Sequence, residues 1–295
     1  MSAVTGKSQT STLLPECLLF EAPSRAWEIS TKTATLVISL DTSTQRRAEF
    51  SESAAGVDLD WSFFSAHKGV ISPLAYNDRD AIRHCGRALF PTEIACYVSH
   101  FKCWEWLANS QFDQAIILED DVMVDWLAIT KLAQFNLSAH LIELLRLFAT
   151  HPIKCKIVMY RFLSPHCHLV RTEGWHLGAQ GYMLTSAGAC QLIEKYADIT
   201  IPLDWVLMRY WEHGLENYSL FPFPIIEKRV PSTIGPRASV TKPPLFDRTM
   251  RFCWRMRDRV KREQFDHWTA ERWPLGPSID VGPVFVDKET GRFAL

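Results

Sequence analysis

Short runs of apolar and β-branched residues alternate along this chain with longer stretches whose apolar positions recur every three or four residues, the pattern of strands alternating with amphipathic helices. Residues 35–40 form a β-rich run ending at Asp41, and Thr42, Ser43 and Thr44 then offer N-caps for a helix carrying Arg46 and Arg47. Residues 61–66 read as a second strand, followed by a long connection containing Pro and Asp that leads to Thr92. Between 92 and 109, Ile94, Tyr97, Val98, Phe101, Trp104 and Leu107 fall at helical spacing behind a threonine cap, with Glu93 and His100 on one polar face. Asp125 is placed to cap a helix running through the apolar residues between 126 and 148, and residues 156–162 look like another strand. A strand at 182–184, a helix from the Thr185 cap to Tyr196 and a short helix capped by Asp204 complete the series.

The centre of this pattern is Ala115-Ile116-Ile117-Leu118-Glu119-Asp120-Asp121. Four apolar residues run into three carboxylates, which reads as a buried strand that stops where its charges reach solvent or a cation. In an open α/β sheet the C-terminal strand ends line the ligand crevice. A hard cation such as Mg²⁺ or Mn²⁺ would relieve the repulsion among the acids, and a solvated acidic turn is the plain alternative. Two further segments carry candidate chemistry. The turn from Asp41 to Arg47 has the make-up to hold part of a nucleotide at a helix N-terminus, or to be an exposed cap with solvated arginines. The glycines of the segment 174–181, Gly178 among them, permit close backbone approach to a ligand or a tight turn.

Composition narrows the class. The 295 residues, 47% of them hydrophobic, can bury a sizeable core, and a formal net charge of −1 gives no global attraction to nucleic acid. Eight cysteines without a CxxC pair look like scattered reduced thiols, which points to a cytoplasmic setting. The apolar patch near Leu13 is a poor signal peptide, and no window approaches eighteen uncharged apolar residues. The cluster His166-Cys167-His168 has no second ligand pair at a zinc-site spacing, and no Walker sequence is present.

Taken in order, the motifs resemble glycosyltransferase family 25, the lipopolysaccharide and lipooligosaccharide transferases with collagen-modifying relatives. The resemblance rests on Val37-Ile38-Ser39-Leu40-Asp41 with Arg46-Arg47, Pro91-Thr92-Glu93-Ile94-Ala95-Cys96 with Ser99-His100, and Ile117-Leu118-Glu119-Asp120-Asp121-Val122. It continues through Gly178-Ala179-Gln180-Gly181-Tyr182, Ala187-Gly188-Ala189, Asp204 and Ser232-Thr233-Ile234-Gly235, covering residues 35–235. Ser39 stands where the family usually has Asn, and Ala95 where it usually has Gly. The resemblance implies an α/β, GT-A-like Rossmann-type domain over 34–235, after an N-terminal extension over 1–33 and before a basic, aromatic, mainly helical extension over 236–295. It implies inverting transfer of a hexose, galactose or glucose, from a UDP-sugar to a hydroxyl of a saccharide or glycolipid acceptor. On that reading Asp121 and Glu119 hold a divalent cation (Mn²⁺ or Mg²⁺), and Asp41, Arg46, Arg47, His100, Glu119, Asp120, Gly178 and Gln180 line the donor site. Asp204 is then the candidate general base. A metal-dependent phosphoryl-transfer enzyme and a non-catalytic carbohydrate-binding homologue are the alternatives.

Charge is unevenly spread. Residues 237–262 carry nine basic side chains against Asp247 and Asp258. Phe252, Cys253, Met256 and Val260 could form one helical stripe, with Arg251, Arg255 and Arg259 on another and Trp254 at the boundary. Such a helix suits either peripheral contact with the inner face of an anionic membrane or packing on an acidic core.

Overall fold

The computed structural model describes residues 31–228 and 245–270, together with the backbone of three short strands near the C-terminus. The motif at 232–235 and nearly all of the expected extension over 1–33 lie outside the described residues. The chain begins with β1 (Thr33–Ser39), α1 (Thr44–Ser53) and β2 (Ser62–Ser65), close to the pattern read from the sequence. Ser43 occupies the N-cap of α1 without a side-chain hydrogen bond. The connection up to 91 is not a bare loop: it holds β3 (Ala75–Tyr76) and α2 (Asp78–Cys85), the latter capped by Asn77, whose Oδ1 accepts from the Arg79 N–H at 2.8 Å. α3 (Pro91–Ala108) starts one residue before the expected threonine cap. Pro91 takes the first helical position and Glu93 accepts the N–H of Phe90 at 2.9 Å.

β4 (Gln114–Glu119) and β5 (Val122–Val124) flank the acidic turn, and Asp125 caps α4 (Trp126–Ala133) as expected. The helix foreseen up to 148 ends there. A single 3₁₀ turn, Ser138–His140, leads instead into a buried strand, β6 (Leu144–Arg146). Leucine-rich runs of this length do not distinguish buried helix from buried strand, and the sheet decides. β7 (Ile153–Met159), β8 (His168–Glu173), β9 (Gly181–Thr185) and α5 (Ser186–Lys195) follow, the last capped by Thr185, whose Oγ1 accepts from the Gly188 N–H. After β10 (Asp198–Ile199) comes α6 (Leu203–Met208), with Pro202 and not Asp204 at its N-cap. α7 (Tyr210–His213), β11 (Tyr218–Phe221), β12 (Ile225–Glu227), α8 (Leu245–Ala270) and β13 (Ile279–Val281) complete the main elements.

Nine strands make one mixed sheet in the order β13-β7-β8-β11-β6-β9-β4-β1-β2. β4, β1 and β2 run parallel, while β9 joins β4 antiparallel. Alternation along β4 splits the core into two layers. Ala115 and Ile117 face α3 and α5, with Trp104, Phe101 and Leu192, whereas Ile116 and Leu118 face α1 and α4, with Phe50, Ile129 and Leu132. The start of β4 is pinned by the buried Gln114, whose side chain donates to Thr33 Oγ1 and to the Phe135 carbonyl and accepts from the Leu137 N–H.

α8 lies on α2 and α7 by one face. Trp254 packs edge-on against His84 and under the Arg209 guanidinium, and Asp258 pairs with Arg209 through both oxygens. Asp247 approaches Arg83 at 3.7 Å, and Asp266 meets Arg171 and the Tyr210 hydroxyl, each at 3.1 Å. The Arg209 side chain is only 4% exposed, so its charge depends on these partners. Asp258→Ala should cost about 3 kcal/mol in urea unfolding, because it strips a buried guanidinium of its main counter-ion. It should also expose α8 to limited proteolysis before the rest of the chain.

Candidate active site

The carboxylates at the end of β4 are in three different environments. Asp120 is buried, with Oδ2 accepting from the Ser39 hydroxyl at 2.6 Å and Oδ1 from Arg46 at 3.1 Å. Asp121 has Oδ2 at 3.4 Å from the same guanidinium, while its Oδ1 is buried without a hydrogen-bond partner. Burial first, then the charges of Glu119, Asp120 and Glu227 against the relief from Arg46, push the Asp121 carboxyl up to about 6. Glu227 comes from β12, which pairs antiparallel with β5, and the N–H of Lys228 donates to the Asp121 carbonyl at 2.8 Å. Burial and the charge of Glu119 raise the Glu227 carboxyl too.

β1 and α1 supply the counter-charge. Arg46 bridges Asp120 and Asp121, while Arg47 donates to the Ser39 carbonyl and to Asp41 Oδ1 at 2.6 Å. Asp41 also accepts from Ser65 on β2, the largest of the influences that lower its carboxyl. The turn from Asp41 to Arg47 is therefore tied to the acidic strand end and to β2.

α3 runs behind Glu119. Trp104 Nε1 donates to the Tyr182 hydroxyl at 2.8 Å, and that hydroxyl lies 2.9 Å from His100 Nδ1. With the tyrosine proton directed at Nδ1, the His100 proton sits on Nε2, which faces Glu119 Oε1 at 3.3 Å; this assignment follows from the hydrogen-bond network. His100 is fully buried, so it reaches the crevice only through Glu119. Cys96, one turn earlier, is 3.8 Å from the same oxygen. Cys96, His100 and Glu119 offer ligand atoms within 4.8 Å of one another, a set able to hold a metal ion if His100 exchanges tautomer. The Cys96 thiol is pushed well up, first by burial and then by the charges of Glu119, Asp204 and Asp121, so Asp204 lies in the same electrostatic neighbourhood as the strand-end acids.

On the far side stands Arg146, fully buried on β6. It donates to the carbonyls of Gly178 and His176, and its Nε has no partner. Burial pulls its guanidinium down to about 10 against the opposing charge of Asp204. Asp204, in the first turn of α6, is raised by burial and held back by the Trp205 N–H at 2.9 Å and by Arg146. Gly178 has φ +109°, and a Cβ there would meet the Phe148 ring at 2.6 Å, so this glycine serves the turn and its packing. Gln180 gives its carbonyl to the Glu119 N–H at 3.0 Å, and its side-chain Oε1 is buried and unpartnered. Arg146 and Glu227 were not singled out from the sequence, and Cys96 stood only within a motif, without a role: Arg146 and Cys96 sit within apolar runs, and Glu227 is an isolated acid after a short strand.

Fold and site together define the class: a mixed α/β enzyme whose acidic groups gather beside the ends of parallel strands. Residues 32–207 match the family model for glycosyltransferase family 25 (LPS biosynthesis protein), and the chain belongs to that family. It is a glycosyltransferase, with a sugar donor and an acceptor. No curated protein matches the chain significantly.

The raised Asp121 carboxyl has a signed consequence. Its folded value exceeds its unfolded one, so the native state loses stability as pH rises from about 4 to about 6 and carries the full cost above that. Asp121→Asn should therefore raise unfolding stability by about 1–3 kcal/mol at neutral pH, with the difference vanishing near pH 4. Thermal unfolding of both proteins across that range checks it.

Proposed function

We propose that this chain is an inverting hexosyltransferase of GT-A-like fold, moving galactose or glucose from a UDP-sugar to a hydroxyl of a saccharide or glycolipid acceptor. The observation that carries the reading is the cluster at the strand end: Glu119 lies 3.8 Å from the half-buried Cys96 thiol, Asp121 stands 3.4 Å from Arg46, and Asp204, opposed by Arg146, adds its charge to theirs at that thiol. Two acidic functions are needed, one for the leaving diphosphate and one for the acceptor, and strand end and α6 supply one each.

A divalent cation, Mn²⁺ or Mg²⁺, fits at Asp121 and Glu119, because Asp121 Oδ1 is a buried oxygen lacking any partner and its carboxyl is held toward the protonated form. Bound there, such a cation would neutralise the charge that grows on the leaving diphosphate. Arg46 supplies further positive charge at the same edge, and Arg47 with Asp41 orders the turn that meets the nucleotide. Asp120 fixes Arg46, and His100 aims Glu119. Gly178 and Gln180 shape the wall opposite, the first through Arg146 and the second through the Glu119 N–H.

Inversion requires a base on the face away from the diphosphate. Asp204 takes the proton of the acceptor hydroxyl as its oxygen attacks the anomeric carbon and the bond to the donor phosphate breaks. Burial makes this carboxylate more basic, while the Trp205 N–H and Arg146 oppose that rise. The test is release of nucleoside diphosphate by the purified protein across a panel of nucleotide sugars. Asp204→Asn should lower turnover about 10²–10⁴-fold while nucleotide affinity stays within about threefold. Asp121→Asn should weaken nucleotide binding itself. Parallel loss of binding and turnover in the Asp204 variant would move that residue to the donor side, and undiminished wild-type activity in EDTA would remove the cation.

A further inference from the structure

The inward face of α8 accounts for its acids. Asp247, Asp258 and Asp266 all turn onto Arg83, Arg209 and Arg171. The outward face is composed differently. Phe252, Met256 and Val260 repeat every fourth residue and are 63%, 43% and 49% exposed. Each stands two positions from a packed residue, Trp254 or Asp258, hence about 200° around the helix axis. Along one border of this stripe run Arg248, Arg255 and Arg259, all exposed. Glu263 is the one outward carboxylate among the described residues of the helix, and Arg259 holds it at 2.9 Å.

We propose that this face docks the protein on an anionic lipid surface, with α8 lying in the plane of the headgroups. Apolar side chains at i, i+4 and i+8 enter the boundary between headgroups and acyl chains, and a flanking row of guanidinium groups engages lipid phosphates. The inward pairing of the aspartates matters as much as the arginines, because it removes the acids that would repel such a surface. A second copy of the chain is a poorer occupant: in a two-fold pairing the same patch meets itself, which sets arginine rows against each other. Contact of this kind is peripheral, since no helix among the described residues is long and apolar enough to cross a membrane.

The experiment is co-sedimentation of the full-length protein with vesicles of phosphatidylcholine, with and without phosphatidylglycerol. Binding is expected only with the anionic lipid, and it should fall steeply between low salt and about 0.5 M salt as screening shortens the reach of the charges. Arg255→Glu combined with Arg259→Glu should lower partitioning at least about twentyfold, since each basic residue near such a surface contributes a factor of about five. Met256→Glu should lower it as well. These side chains are exposed, so circular dichroism, melting temperature and nucleotide binding should remain those of the wild type, which separates failure here from failure of the transferase reading. Wild-type protein that ignores anionic vesicles, or variants that bind as well as wild type, would overturn the proposal. So would a wild-type dimer in light scattering that Met256→Glu converts to monomer, because the stripe would then belong to a second copy.

Discussion

Crowding of like charge against an apolar strand is the constraint on which the rest of this structure depends. β4 contributes four fully buried residues and then, with no spacer, three carboxylates. Held beside so much low-dielectric material, the acids repel one another strongly, and the neighbouring elements are arranged to limit that repulsion. α1 brings Arg46 to two of them, the Ser39 hydroxyl donates to one, and α3 brings the His100 Nε2–H to the third. The compensation is incomplete at Asp121, and an incompletely compensated acid at a strand end is what a binding site for positive charge requires.

A second set of charges serves the architecture. Arg209, Arg171 and Arg83 receive the aspartates of α8, so the basic helix is joined to the body mainly through its few acidic side chains. This reverses the arrangement suggested by net charge alone, in which a basic segment would neutralise an acidic core. Of its basic residues, Lys261 and Arg257 reach Glu212 at 3.1 and 3.9 Å, Arg262 lies over the Trp211 ring and Arg251 lies against Gly86, which leaves Arg248, Arg255 and Arg259 for the outer surface.

Much of the central fold was legible because its signals are local: β-branched runs for β1 and β4, a 3.6-residue period for α3, threonine at the cap of α5. Missed elements lacked such signals. α2 buries only Ala81 and Cys85 and is otherwise polar apart from the half-buried Ile82, so it reads as a loop. β6 lies in a leucine-rich stretch that favours helix in isolation, and its pairing with β9 and β11, distant in sequence, overrides that preference. The strand-end acids announced themselves by abrupt contrast with the residues before them. Arg146 did not, because a lone arginine among leucines looks like the solvated side of a helix until tertiary contacts bury it. Ser39 was visible only as part of a motif, and the sheet shows its use: its hydroxyl donates to the buried Asp120.

Gln114 gives the molecule a fixed reference point. By holding Thr33, Phe135 and Leu137 at once, it locks the phase of β4 at the end remote from the acids. Side chains on a strand alternate, so phase at one end dictates which way every later residue faces. A single deletion between Gln114 and Glu119 would therefore do more than shorten the strand: it would exchange the residues assigned to the two hydrophobic layers and rotate the first carboxylate to the opposite side of the sheet, away from His100. The chemistry of the crevice is thus written as a parity, counted from a buried amide some 16–17 Å away by the rise of a strand, roughly 3.3 Å per residue.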